Sequence, residues 1–155
     1  MGRMEQEASD RPAVRVVCVN GDGRVLLMGW HDHVEGVTIW EPPGGGVEAG
    51  EEPIETARRE LYEETGLPGA AVTERWTPVA RAFTWLGTRY RKTEPFFVAR
   101  FDGVPDVRPA EFTDEEAGTY RGHRWVRPAD LAAVPRLEPP DLPDVLRRLG
   151  LHEHE

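Results

Sequence analysis

The stretch GGVEAGEEPIETARRELYEETGL, residues 45–67, decides how this chain is read. Pro53 suits the first turn of a helix and Gly66 suits its end, while Glu52 is a poor N-cap. Between them Ile54, Ala57 and Leu61 recur at helical spacing and form one apolar stripe. Glu60, Glu63 and Glu64 fall at i, i+3 and i+4, so they share a different stripe. Like charges at that spacing destabilise an isolated helix. A hard divalent cation bound through oxygen offsets such repulsion. A solvated acidic helix face is the bland alternative, and taken alone the glutamate triplet fits it. Gly44, Gly45 and Gly46 precede the helix and let backbone approach a ligand closely.

Working outward, Ala13 to Val19 is an almost continuous apolar run broken by Arg15, the pattern of a buried strand. Asn20-Gly21-Asp22-Gly23 marks a turn, and Val25 to Met28 reads as the returning strand. Residues 31–37 read as a loop, and Thr38 to Glu41 as a short strand ending at Pro42-Pro43. After the helix, strands are expected over Val79 to Leu86, Pro95 to Phe101 and His123 to Val126, with a long polar loop over 102–122. Short helices are expected at Leu131 to Val134 and Leu142 to Leu149. Strands on both sides of one central helix indicate an α/β sandwich with a mixed sheet.

The bulk properties narrow the classes. The length, 155 residues, suits one domain, expected over 11–151 with flexible ends at 1–10 and 152–155. Met1 to Asp10 is polar and acidic, without the apolar core of a signal peptide, and no apolar run is long enough to cross a bilayer. A cytoplasmic location and no membrane partner are therefore expected. A single cysteine, Cys18, excludes an internal disulfide. Net charge is −9, from 28 acidic against 19 basic residues, which argues against a duplex nucleic acid partner. A small phosphorylated substrate stays compatible, because bound metal supplies positive charge locally.

Gly45, Glu51, Arg59, Glu60, Leu61, Glu63, Glu64, Gly66 and Leu67 together match every fixed position of the Nudix box. The chain thus resembles the Nudix hydrolases, and Trp40-Glu41-Pro42-Pro43 ahead of the glycines is similar to theirs. The resemblance implies a Nudix-type α/β/α sandwich and hydrolysis of a diphosphate linkage in a nucleoside diphosphate derivative. It implies Mg²⁺ or Mn²⁺ at Glu60, Glu63 and Glu64, with the Gly44 carbonyl as a further ligand. Arg59 and Glu51 would brace the helix and loop, and Gly45 and Gly46 would shape the loop against the substrate.

A glutamate should accept the proton of the attacking water. Glu63 is one candidate, and family members often draw this base from a later loop, where this chain carries Glu115 and Glu116. Glu94 is a further candidate. Trp76, Trp85 and Tyr90 are candidates for stacking on a base, and Arg89, Arg91 and Lys92 for phosphate contact, although all suit ordinary strand and turn positions. Of these, Trp85 and Arg91 are taken as substrate-binding. His31, Asp32 and His33 read as a solvated loop.

Motifs that mark substrate classes in the family are missing. Phe83 stands where ADP-ribose-type members carry proline, and Thr84 follows where dinucleoside-polyphosphate-type members tend to carry tyrosine. A monomer or homodimer acting on a small nucleotide is the leading expectation. One alternative is a Nudix module that binds nucleotide without cutting it. The other is an isopentenyl-diphosphate isomerase-like enzyme using Cys18, a residue that also suits a buried apolar position.

Overall fold

The computed structural model describes residues 11–151. The expected flexible ends, 1–10 and 152–155, lie outside the described residues. Seven strands form one mixed sheet: β1 (Ala13–Val19), β2 (Val25–Asp32), β3 (Val37–Glu41), β4 (Gly44–Gly46), β5 (Val72–Trp85), β6 (Thr88–Arg100) and β7 (Tyr120–Val126). The main path runs β3-β2-β1-β6-β5, with β4 added to β1 and β7 to β2. Only β1 and β6 are parallel, from Arg15 opposite Phe96 to Val19 opposite Arg100. Helix α1 (Pro53–Thr65) packs on one face, and α3 (Leu142–Arg148) with a preceding 3-10 turn on the other. This is the expected α/β/α sandwich.

Strand β1 explains its own composition. Val14, Val16 and Cys18 join Ala57 and Leu61 of α1 in one core. Val17 and Val19 join Leu142, Val145 and Leu146 of α3 in the other. A strand covered on both faces needs apolar side chains at successive positions, not alternate ones. Cys18 is fully buried there, and burial pushes its thiol well above its ordinary range. It does not line the cleft described below.

Several boundaries differ from the sequence reading, for local reasons. Strand β2 continues through His31 and Asp32 because these pair with Thr38 and Val37 of β3. Asp32 is buried, not solvated. Its Oδ1 accepts from the N–H groups of Val34 (2.9 Å) and Glu35 (3.0 Å), and its Oδ2 from that of Leu86 (2.9 Å). Leu86 and Gly87 both have positive φ, 51° and 85°, as the two-residue turn between β5 and β6 requires. The glycine segment is itself strand β4, with Gly44, Gly45 and Gly46 opposite Arg15, Val14 and Ala13.

Strand β5 begins earlier than expected, at Val72: residues 73–78 are largely exposed and carry no apolar run, yet the segment pairs with β6 from Val72 opposite Ala99 onward. Helix α1 opens on a capping box in which the Glu55 carboxylate accepts from the Glu52 N–H at 2.9 Å, so Glu52 does serve at the N-cap. The polar loop after β6 contains a short helix, α2 (Asp114–Thr119), immediately before β7.

Candidate active site

Strands β1 and β2 share one register pair, Val19 with Val25, so the two halves of the sheet part beyond it. A cleft of about 310 Å³ lies there. Arg15, Lys92 and Glu94 line it together with Trp30, Ile39 and Glu41, the β4 glycines with Glu64, Glu115 and Glu116, and the aromatic residues Phe83, Trp85 and Tyr90.

The carboxylates come together as follows. Glu60, Glu64 and Glu116 each place one oxygen within 4.8 Å of the others. Helix α1 contributes two of them, and α2 closes over the group with the third. The loop before α2 is pinned to the end of α1. Arg108 N–H donates to Thr65 O at 2.8 Å, and the N–H groups of Ala110 and Glu111 donate to Glu63 O at 2.9 Å. The last carbonyls of a helix lack partners within it, and here the loop supplies them. Thr113 caps α2 by accepting from Glu116 N–H at 3.1 Å, while Glu116 Oε1 accepts from Thr113 N–H at 2.9 Å. The capping box thus orients the carboxylate that completes the cluster. Trp85 Nε1 donates to Glu115 Oε2 at 3.2 Å, which turns Glu115 toward the aromatic wall.

Electrostatics show the strain of this grouping. Burial pushes the Glu60 carboxyl up to about 7, with the charges of Glu63 and Glu116 adding to it and Arg59 opposing. Burial drives Glu64 well above the carboxylate range, against the nearby Arg15 charge and with Glu60, Glu116 and Glu41 adding. Gly44 N–H donates to Glu64 Oε1 at 3.2 Å. A donor set made only of carboxylate oxygens, short of positive charge, suits a hard divalent cation.

Arg59 organises the approach. Its Nη1 donates to Glu60 Oε2 at 3.0 Å and Glu63 Oε1 at 3.2 Å, and its Nη2 to Gly46 O at 3.0 Å. Glu63 is held at this guanidinium and stands outside the three-carboxylate cluster. The glycines have steric reasons. A Cβ on Gly45 would lie 2.3 Å from the Glu60 carboxylate, and one on Gly44 2.1 Å from Val14 O.

Outside the box the sequence expectations divide. Trp85 and Tyr90 line the cleft, and Trp76 does not, being exposed beside Phe97. Arg91 is exposed and points away, because strand alternation gives the cleft to Tyr90, Lys92 and Glu94. Arg91 is therefore corrected as a cleft residue, while Lys92 lines the cleft. Glu94 is not a free base. Burial works against its charge, but Arg15, Arg81 and Lys92 hold its carboxyl below the usual range. Arg15 and Glu41, joined at 3.0 Å, escaped notice, although Arg15 was the one break in an apolar strand.

Comparison with known proteins agrees with the geometry. The NUDIX domain model matches residues 9–149. An RNA pyrophosphohydrolase of Roseobacter denitrificans is 38% identical over 133 residues, covering 78% of this chain and 79% of that protein. An Ap4A hydrolase of C. elegans superposes with a TM-score of 0.67 at 18% identity, covering 90% of this chain and 95% of that one. A MutT protein of Methanosarcina mazei superposes with a TM-score of 0.62 at 20% identity, covering 92% and 96%. Among the described residues no helix is long and apolar enough to cross a membrane. With a complete box, a sandwich that gathers its glutamates, a family model over nearly the whole described chain and similar pyrophosphohydrolases, the chain belongs to the NUDIX domain family and is a metal-dependent pyrophosphohydrolase of nucleotide derivatives.

Proposed function

We propose that the cleft takes a small nucleoside diphosphate derivative, its phosphates toward Glu60, Glu64 and Glu116 and its base toward the β5–β6 wall. The meeting of those three carboxylates within 4.8 Å carries the reading. They would hold Mg²⁺ or Mn²⁺, with the Gly44 carbonyl as a further ligand and Glu63 free to join from its place beside Arg59. Bound there, the cation supplies charge neutralisation on the phosphates and activation of water.

The chain's own residues do the rest. Arg59 and Glu51 are positioning residues that fix the helix face against the glycine strand. Gly45 and Gly46 give the phosphates access to backbone. Arg15 and Lys92 draw the anionic substrate inward from the opposite wall. Glu115 accepts the water's proton: it lines the cleft, precedes the cluster residue Glu116 on α2 and is not part of the cluster. Attack at phosphorus releases a nucleotide or phosphate.

A second reading, removal of pyrophosphate from an RNA 5′ end, is favoured by the likeness to RNA pyrophosphohydrolases. The test incubates the protein with nucleoside diphosphate derivatives, nucleoside triphosphates and a 5′-triphosphorylated oligoribonucleotide, in Mg²⁺ or Mn²⁺, with products identified by mass. Turnover that stops in excess EDTA is expected. Cleavage confined to the oligonucleotide selects the second reading, and undiminished turnover in EDTA overturns the metal assignment.

A further inference from the structure

The β5–β6 ribbon presents one face to the cleft, and its rungs follow an order. Phe83 pairs across the strands with Tyr90, Arg81 with Lys92, and Val79 with Glu94. The Phe83 and Tyr90 rings are stacked, 4.9 Å apart and 11° from parallel. Arg81 lies 4.6 Å over the Phe83 ring and Lys92 5.6 Å over the Tyr90 ring, so an aromatic pair lies next to cations, and Lys92 next to a carboxylate.

That carboxylate has an unused acceptor. Glu94 is 1% exposed, and its Oε1 accepts from Arg81 Nη1 at 2.8 Å. Its Oε2 is buried and lacks a well-aligned hydrogen bond; the Lys92 ammonium faces it as an ion pair at 3.3 Å and donates to Arg11 O at 3.2 Å. Arg15 Nε is likewise buried without a hydrogen-bond partner, 3.9 Å from Glu94 Oε1. Buried polar atoms are normally satisfied, and one left without a partner is destabilising. Both residues line the cleft, so a ligand reaches them. Lys92 is the chain's only lysine.

An ionised carboxylate only accepts and an ammonium only donates. Side by side they complement an N–H adjacent to a carbonyl. Guanine, hypoxanthine and uracil carry this lactam edge. Adenine and cytosine carry the reverse, a ring nitrogen that accepts beside an amino group that donates.

We propose that Glu94 and Lys92, with Arg15 behind them, read the lactam edge of the substrate's base and make the enzyme prefer keto bases over amino bases. The base N–H donates to Glu94 Oε2, and Lys92 Nζ donates to the adjacent carbonyl. The base abuts the Phe83–Tyr90 pair where it borders the cleft. This inference rests on the nucleotide reading above.

The test compares kcat/KM for ITP and ATP, which differ only at this edge, with GTP, UTP and CTP as further arms. If cleavage proves confined to RNA, 5′-triphosphorylated dinucleotides beginning with the same bases replace them. Wild type should prefer ITP over ATP by about tenfold or more, with GTP and UTP alongside ITP, since unpaired buried groups reject the wrong analogue. Lys92→Met should bring the ratio toward one. Glu94→Gln should also bring the ratio toward one, because Arg81 keeps the amide oxygen and the amide nitrogen in the Oε2 place no longer accepts from the lactam N–H, while Lys92 still opposes adenine's amino group. If Glu94→Gln fails to fold, Lys92→Met decides alone. Equal use of all bases, a preference for GTP without ITP, or a ratio unchanged in the folded variants overturns the inference and leaves the nucleotide reading standing. Turnover of none of these compounds, nor of the nucleoside diphosphate derivatives of the preceding test, removes the nucleotide reading and the inference with it.

Discussion

Arg59 grips Glu51 with two hydrogen bonds, Nε to Oε2 at 2.6 Å and Nη2 to Oε1 at 3.0 Å, tying the helix to the loop that precedes it. The hydrogen bonds from Arg59 hold Glu51 down at about 2, with the Glu48 N–H and the Thr56 hydroxyl adding. The same guanidinium reaches Glu60, Glu63 and Gly46, so one side chain sets both the helix face and the glycine strand. Arg59→Lys should therefore lower kcat by about tenfold to a hundredfold, because an ammonium cannot reproduce the planar fork. Steady-state kinetics with a metal titration measure this. A near-native kcat at saturating metal would assign Arg59 to stability alone.

Gly45→Ala should damage activity while sparing the fold. The added methyl would meet the Glu60 carboxylate head-on and displace it from the cluster. Misplacing a reacting group by about 1 Å can cost about a hundredfold in rate. Thermal unfolding close to wild type, together with a loss of kcat of that order, is the expected pair of results.

Glu116 and Glu115 should separate in a metal titration. Glu116→Gln keeps an oxygen to accept from Thr113 N–H, so α2 stays capped while one charge leaves the cluster. It should raise the metal concentration needed for half-maximal rate by about tenfold to a hundredfold. Glu115→Gln should lower kcat by about a hundredfold at unchanged metal requirement, as loss of a general base does. Native kcat in Glu115→Gln would pass the proton to Glu63.

Asp32→Asn should destabilise the protein by about 1–3 kcal/mol at neutral pH, since an amide cannot accept from Leu86 N–H and from the Val34 and Glu35 N–H groups together. Burial works to raise the Asp32 pKa, but the N–H groups of Leu86, Glu35 and Val34 hold it below 3.8. A carboxylate with a lowered folded pKa contributes stability above its unfolded value and loses it as pH falls through the folded one. The deficit of the variant should thus be full at pH 7 and shrink below about pH 4. Urea unfolding at both pH values checks this, and a deficit that grows with acid would contradict it.

Much of the site was legible before any coordinates because α1 is a local object. Its repeat fixes that Glu60 and Glu64 share a face and that Ala57 and Leu61 share another, whatever the rest of the chain does. Glu115 and Glu116 were legible only as acidic residues in a loop. Their capping box and the anchoring of that loop on Thr65 and Glu63 depend on a backbone path that no periodicity announces. Asp32 read as solvated because its three partners include Leu86, far along the chain.

The sequence by itself determined the helix, the buried apolar run of β1 and the chemistry of the box, since all of these follow from short-range geometry. Only the tertiary structure decided that Glu116 joins Glu60 and Glu64, that Lys92 faces the cleft while Arg91 faces away, and that Arg15 meets Glu94. Those outcomes turn on strand register and on how β1 and β2 part after Val19 and Val25, and a register is chosen by packing across the whole sheet, not by any one segment.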